Sequence, residues 1–199
     1  MATKYGFSDV RDQLTEDLHD AYPTKWEDFR NAKILGEDVF GTPKPHPNAV
    51  LDLFEAQDVK FAIPFAAYRA SIGGLPALTS DKPGTILQHR TLAATINGMR
   101  RLQCNLISRA ASITFHGGYV RVCSDRTCAF NVGTNPIKQR MEAMEKIFNA
   151  MIVHREGGLL NAPSLGHLLC PKCTKCLELI HDAWASAAWD KLAPTFSLS

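Results

Sequence analysis

The sequence predicts an all-α protein, and two observations carry that prediction. Apolar residues recur every three or four positions along most of the chain, which places them on one face of an α-helix. Most prolines and glycines fall between these stretches, where they end helices and form loops. The chain has 199 residues, of which 45% are hydrophobic and 21% charged, so it can bury a core of its own. This composition excludes an intrinsically disordered chain and a collagen-like repeat.

The N-terminal part of the sequence predicts short helices separated by proline-containing turns. Ser8 caps a first helix that Pro23 ends, and a second helix follows it. Three prolines within 43–47 predict an extended linker. A helix resumes near Asn48, and the apolar run over 61–68 is predicted to be buried. The residues of these helices that are predicted to face the protein core are Val10, Leu14, Leu18, Trp26, Phe29, Val50, Leu53 and Phe54.

The remaining sequence predicts three long helices and one short strand. The helices cover about 86–113, 136–156 and 170–194, and Pro194 is predicted to end the last one. The residues of 118–123 favour a strand followed by a tight turn. The residues predicted to face inward are Leu92, Ile96, Met99, Leu106, Ala110 and Ile113 on the first helix, Ile137, Met141, Met144, Phe148, Met151 and Ile152 on the second, and Leu177, Ile180, Trp184 and Ala187 on the third.

Five of the six cysteines fall into two groups that have the spacing of metal ligands. Cys123 and Cys128 form the first group, and Cys170, Cys173 and Cys176 form the second as two overlapping C-x-x-C units. Two close-spaced pairs separated by an intervening element bring four thiolates to a tetrahedral zinc ion. We therefore predict one structural zinc ion bound by Cys123, Cys128, Cys170 and Cys173.

Other interpretations of the cysteines stay open at this stage. Cys176 can replace Cys170 in the ligand set, and His167 can replace one of the cysteines. Alternatively, the cysteines are free and act as small apolar residues in a core. A disulfide and a thioredoxin-like redox motif fit less well, because thiols stay reduced in the expected compartment and no βαβ pattern surrounds the C-x-x-C. Cys104 is predicted to be a core or boundary residue of its helix.

The sequence carries no recognisable catalytic motif beside the cysteines. It has no G-x-S-x-G, no Walker A loop, no G-x-G-x-x-G and no H-E-x-x-H. Four sulfur ligands would leave no open position on a zinc ion for water or substrate. We therefore predict no catalytic residues, no enzymatic activity and no small-molecule substrate.

Charge gives a mild asymmetry along the chain. The 22 basic and 20 acidic residues sum to +2, with −5 over residues 1–60 and +7 over residues 61–199. Several arginines of the basic part can gather near the cysteines, and a zinc-stabilised nucleic-acid-associated module is therefore the alternative function. The basic residues are less dense than in a dedicated nucleic-acid binder, so a nucleic-acid partner is not our first expectation. The candidate nucleic-acid contacts are Arg100, Arg101, Arg121 and Arg126.

The sequence predicts neither a membrane span nor a signal peptide. No apolar run reaches the roughly 18 residues that a transmembrane helix needs. The N-terminus is charged and amphipathic, and it lacks the apolar core of a secretory signal. We therefore expect the protein in the cytoplasm or the nucleus, without a membrane partner.

Several motifs resemble a known family. Residues 2–7 followed by 10–14 resemble the helix that closes a BTB/POZ domain. The rest of the chain is similar to the C-terminal region of fungal BTB/POZ proteins. In that region a helical segment precedes a cysteine pair, a Leu-Cys-x-x-Cys element, a final helix with tryptophan and a short Phe-x-Leu tail. The matching residues here are Cys123 and Cys128, 169–173, Trp184 and Trp189, and 196–198.

The resemblance implies a division of the chain and a function. Residues 1–40 would be a remnant of the last BTB helices, and residues 48–199 would be a helical domain with its cysteine-rich zinc site within 123–176. Most of the BTB fold itself is missing from the sequence, so dimerisation and cullin docking through that fold are not expected. The region that follows a BTB domain implies a protein-interaction or adaptor module, whose partner is another protein.

Overall fold

A computed structural model describes residues 8–31, 45–79, 86–115, 123, 125, 128, 137–152, 160 and 169–197. The helices in this part of the chain are α1 (Ser8–Ala21), α2 (Trp26–Asn31), α3 (Pro47–Ala56), α4 (Ile63–Ile72), α5 (Gly74–Leu78), α6 (His89–Phe115), α7 (Ile137–Ile152), α8 (Pro171–Trp189) and α9 (Leu192–Phe196). No strand occurs among these residues, so the predicted all-α class is confirmed for them. The strand predicted within 118–123 lies almost wholly outside the described residues.

The chain divides into two compact units. The first unit contains Met1–Met99 together with Trp189–Ser199, and the second contains Arg100–Ala188. Helix α6 therefore begins in the first unit and ends in the second. The division predicted from the sequence, between residues 1–40 and residues 48–199, stays a prediction, because most of the residues between these two ranges lie outside the described part of the chain.

Aromatic rings form the core of the first unit. The ring of Phe29 lies 4.6 Å from that of Trp189 and 5.6 Å from that of Phe65, measured between centroids. Tyr22 and Trp26 are also buried against these rings. Trp26 and Phe29 thus face inward as predicted, because the turn at Pro23 directs α2 back onto the core. Trp189, from the far end of the chain, completes this aromatic core.

A buried asparagine fixes the start of α3 against α5. The side-chain amide of Asn48 donates hydrogen bonds to the carbonyl oxygens of Ala77, at 3.0 Å, and Leu78, at 3.4 Å. The Nδ1 atom of His46 accepts a hydrogen bond from the backbone N–H of Asn48 and caps the helix. Satisfying the last carbonyls of one helix with a side chain from another joins the two elements.

The helices are predicted better than the faces they bury. Leu53 of α3 is 47% exposed and Met141 of α7 is 65% exposed, and Leu14 and Ala187 are exposed as well, so these four predictions are wrong. Periodicity places apolar side chains on one side of a helix, but burial also requires a neighbouring element on that side. The predicted run over 61–68 is buried at most of its positions, as expected.

Two threonines occupy buried positions on α6 where leucine and isoleucine were expected. Thr91 and Thr95 are buried, whereas Leu92 and Ile96 are half-buried. The hydroxyl of Thr91 donates to the carboxylate of Glu55, and that of Thr95 donates to the carbonyl of Thr91 at 2.8 Å. Paired hydroxyls can be buried at little cost, and for this reason an apolar pattern misses them.

The end of the last long helix also differs from the prediction. Helix α8 ends at Trp189, and Pro194 lies in the separate short helix α9 instead of ending α8. Proline is tolerated there because residues in the first turn of a helix need no intrahelical N–H donor. Phe196 is fully buried at the end of α9, so the expected tail contributes to the core of the first unit.

The described helices include none that is both long enough and apolar enough to cross a membrane.

Candidate metal centre

Four cysteine side chains converge in the second unit. The sulfur atoms of Cys123, Cys128, Cys170 and Cys173 all lie within 4.8 Å of one another. The sulfur of Cys123 lies 3.6 Å from the sulfur of Cys170. The two cysteine groups, far apart in sequence, therefore meet at one point, and they do so with the four residues that the spacing favoured.

Local backbone structure holds each pair in place. Cys170 immediately precedes α8 and Cys173 lies in its first turn, where the N–H of Thr174 donates to the carbonyl of Cys170 at 2.9 Å. In the other pair, the N–H of Cys128 donates to the carbonyl of Asp125 at 3.2 Å, which closes a turn. A turn and a helix start both direct closely spaced side chains to one side.

The sulfur separations suit a tetrahedral metal ion. With zinc–sulfur bonds of about 2.3 Å, the edges of a tetrahedron of sulfurs are about 3.8 Å long. The 3.6 Å between Cys123 and Cys170 is close to this edge. It is far longer than the roughly 2.05 Å of a disulfide bond. The four side chains fit a zinc ion without any large rearrangement of the backbone.

The surroundings of the sulfurs are apolar. Cys128, Cys170 and Cys173 are buried, and Cys123 is half-buried. They pack in one cluster with apolar side chains from α6, α7 and α8 and from the residue before Cys170, namely Ala110, Ile147, Leu177 and Leu169. An apolar shell limits the access of water to the sulfurs, which would protect bonds between thiolates and a metal ion from exchange.

Cys170 and Cys173 differ in acidity. The backbone N–H of Cys173 donates to the sulfur of Cys170 and holds the pKa of that thiol below its usual value. Burial raises the pKa of the Cys173 thiol instead. Cys170 is therefore the thiol of this pair that releases its proton first. A divalent cation would displace the proton of Cys173, because metal ligation requires the thiolate.

The remaining candidates are placed differently. Cys176 is half-buried one helical turn beyond Cys173, and its sulfur is not in the group of four. Cys104 is exposed on α6, so the predicted core or boundary position is wrong. His167 lies outside the described residues, so its alternative role stays open.

The predicted nucleic-acid contacts are only partly described. Arg100 and Arg101 are adjacent and exposed on α6. Arg121 and Arg126 lie outside the described residues. A convergence of the arginines on one basic surface therefore stays a prediction.

The sequence did not predict a groove that lies in the first unit. It is lined by nine residues, among them Trp189 and Phe65. No motif marks it, because its lining residues come from three separate stretches of the chain and are mostly ordinary core types. The only features of the sequence that could have indicated this groove are its aromatic residues, which lie far apart along the chain.

The described fold and site define an all-α protein with a four-cysteine cluster suited to a structural metal ion. Comparison of the chain with protein-family models, with curated proteins and with solved structures finds no match in any of the three.

Proposed function

We propose that this chain is a non-enzymatic protein-interaction or adaptor module with one structural zinc ion in its second unit. The observation that carries the proposal is the convergence of Cys123, Cys128, Cys170 and Cys173 within 4.8 Å. These four residues are the proposed ligands. A cytoplasmic or nuclear location, where free thiols persist, belongs to the same proposal.

The ligand set favours a structural role over a catalytic one. Catalytic zinc sites keep three protein ligands and leave the fourth position to water or substrate, whereas structural sites are closed by four. Here four sulfurs are available, and three of the four cysteines are buried. A metal ion held in this way stabilises the fold and has no free position for chemistry.

The proposed zinc ion would join parts of the chain that are distant in sequence. Cys123 and Cys128 follow α6, whereas Cys170 immediately precedes α8 and Cys173 lies in its first turn. The free energy of zinc binding would offset the entropy lost when this long loop closes. It would add to the free energy of folding, because no preformed site exists in the unfolded chain. The second unit would therefore depend on zinc for its stability.

The interaction role has two supports. Large apolar side chains remain exposed and available for contact with a partner; they are Leu14, Leu53, Leu75, Ile86, Ile107, Met141 and Leu179. The resemblance of the sequence to the region that follows a BTB domain points to the same class of function.

Metal content and thermal stability test the proposal. We expect near one zinc per chain by elemental analysis of the untagged protein. Chelation should lower the melting temperature by about 10 °C or more. Each kcal/mol lost from the free energy of unfolding lowers the melting temperature by about 2–4 °C in a chain of this size. Cys170→Ser should lose zinc, whereas Cys104→Ser, which changes an exposed cysteine outside the cluster, should keep it. Zinc-free protein with a melt indifferent to chelator would overturn the proposal.

The interaction role requires its own measurement. Affinity purification of the wild-type chain from its native cells, quantified by mass spectrometry, should enrich the same partner proteins in repeated experiments. The zinc-free Cys170→Ser variant should enrich partners of the second unit less. If the chain instead turns over a substrate in an unbiased metabolite screen, the adaptor role is wrong.

A further inference from the structure

The first unit carries a groove of about 270 Å³ that neither the zinc site nor the sequence motifs explain. Its lining comes from the turn between α1 and α2, from the start of α4 and from the residues around α9. We call it the Trp189 groove, and its defining residues are Pro23, Phe61, Pro64, Phe65, Trp189 and Asp190. It is smaller than the roughly 300–1,000 Å³ of sites for drug-sized ligands, so it fits a single side chain better than a metabolite.

Rings held in fixed positions line this groove. The indole N–H of Trp189 donates to the carbonyl oxygen of Thr24 at 3.0 Å. The same ring packs against Phe65 with a centroid distance of 5.3 Å. Phe61 is half-buried and stacks on His19 with a centroid distance of 3.9 Å. Trp189 and Phe65 are themselves buried, so Phe61 is the aromatic side chain with exposed surface in the groove. The lining is held in place before any ligand arrives, which lowers the entropy lost on binding.

A single charged side chain lines the groove. Asp190 is exposed beside Trp189, and it forms no hydrogen bond or ion pair with the residues that the structure describes. The helices on either side of Pro23 are acidic as well. Over residues 12–31 there are six acidic side chains, all exposed, against two basic ones. The field at the groove therefore favours a cation.

We propose that the Trp189 groove binds an arginine side chain of a partner protein. A guanidinium group stacks on aromatic faces and forms paired hydrogen bonds with a carboxylate, which lysine does less well. Phe61, the half-buried ring of the groove, supplies the aromatic contact, and the exposed Asp190 supplies the carboxylate. This inference rests on the proposed interaction function and names the chemistry of its partner, but it uses no residue of the zinc site.

Peptide binding to the full zinc-loaded chain tests the inference. The probe is the peptide acetyl-Gly-Ser-Arg-Ser-Gly-amide, and its matched control carries citrulline, which has the shape of arginine without the charge. Binding is followed through the indole N–H resonance of Trp189 in two-dimensional NMR, identified by its loss in Trp189→Phe. We expect the arginine peptide to shift this resonance and to bind roughly three- to tenfold more tightly than the citrulline peptide.

Two variants separate a specific site from general attraction. Asp190→Asn should lower the affinity for the arginine peptide by roughly the same three- to tenfold and leave the affinity for the citrulline peptide unchanged. Glu145→Gln removes one exposed carboxylate from α7 in the second unit and should change neither. Because Asp190 is exposed, its substitution is expected to leave the fold intact, which the NMR spectrum itself shows.

Several outcomes would overturn the inference. Equal affinity for the arginine and citrulline peptides would show that charge has no role in binding. Equal weakening of arginine-peptide binding by Asp190→Asn and Glu145→Gln would show only long-range electrostatic attraction. No shift of the Trp189 resonance would exclude the groove. Tighter binding of free arginine than of the peptide would indicate a small-molecule site instead. Since the experiment uses zinc-loaded protein and reads the first unit, its failure leaves the zinc proposal standing, and absence of zinc leaves this binding measurable.

Discussion

The ring of Phe196 occupies the space that a side chain at position 98 would need. A β-carbon on Gly98 would lie 2.6 Å from Cε1 and 2.7 Å from Cγ of Phe196, distances that real β-carbons do not adopt. Gly98 lies within α6, and Phe196 is the last residue of α9. Both belong to the first unit. Glycine lowers the stability of a helix interior, so its presence here is explained by the close approach of this ring.

The first prediction concerns this contact. Gly98→Ala should destabilise the protein by about 1–3 kcal/mol through overpacking, although alanine gains about 1 kcal/mol in helix propensity. Urea denaturation measures the difference in the free energy of unfolding. The double variant Gly98→Ala/Phe196→Leu, which makes room for the methyl group, should cost less than the sum of its two single changes. Additive costs would show that the two residues do not interact.

The second prediction concerns the indole of Trp189. Trp189→Phe removes the 3.0 Å hydrogen bond to the carbonyl of Thr24 and should lower stability by about 1–3 kcal/mol. Trp26→Phe is the matched control, because Trp26 is also buried but its indole nitrogen has no hydrogen-bond partner among the described residues. Urea denaturation of the two variants compares them directly. Equal losses would mean that the hydrogen bond contributes nothing beyond ring volume.

The third prediction concerns oxidation of the metal-free cluster. The sulfurs of Cys123 and Cys170 are 3.6 Å apart, so one equivalent of hydrogen peroxide should convert these two thiols into a disulfide and two molecules of water. Peptide mapping by mass spectrometry identifies the bond. Zinc-loaded protein should resist at the same peroxide concentration, because its sulfurs are committed to the metal. A disulfide involving the exposed Cys104 at equal yield would contradict the expected selectivity.

The fourth prediction concerns alkaline pH. Burial raises the pKa of Tyr22 above its ordinary value of 10.0, and the positive charge of Arg69 opposes this shift in part. The unfolded chain therefore loses the phenolic proton at lower pH than the folded chain. The contribution of Tyr22 to stability should be complete below pH 10 and should fall as the pH rises towards the folded pKa. Urea denaturation at pH 8, 10 and 11 tests this, and Tyr22→Phe should show a smaller loss over the same range.

The cysteine cluster is the part of the site that sequence reasoning predicted well. Metal ligands come in short-range pairs, and the spacing within each pair already fixes which way the two sulfurs point. The choice between Cys170 and Cys176 depended on three-dimensional structure, because both lie within one turn of Cys173. The structure brings the sulfur of Cys170, just before α8, into the group of four, whereas the sulfur of Cys176 is not in it.

The burial of individual faces was predicted less well, for a physical reason. Leu53 and Met141 fit a helical stripe but are exposed, whereas Thr91 and Thr95 are buried with their hydroxyls paired. Burial depends on which other element covers a face, and polar groups join a core when a partner is present. Neither condition is written in the local pattern of one helix. Helix type and length, which depend on local pattern and on proline, were predicted with more success.

The discontinuity of the first unit bears on how the protein emerges from the ribosome. Trp189 and Phe196, which complete the core around α2, α4 and α6, are translated only after the whole of Arg100–Ala188. At about 5–20 residues per second, that delay amounts to roughly 5–20 s. During this interval the nascent first unit holds Phe29 and Phe65 without the indole that covers them. Nascent chains stalled before Trp189 are therefore the species on which a chaperone that recognises exposed aromatic residues would act.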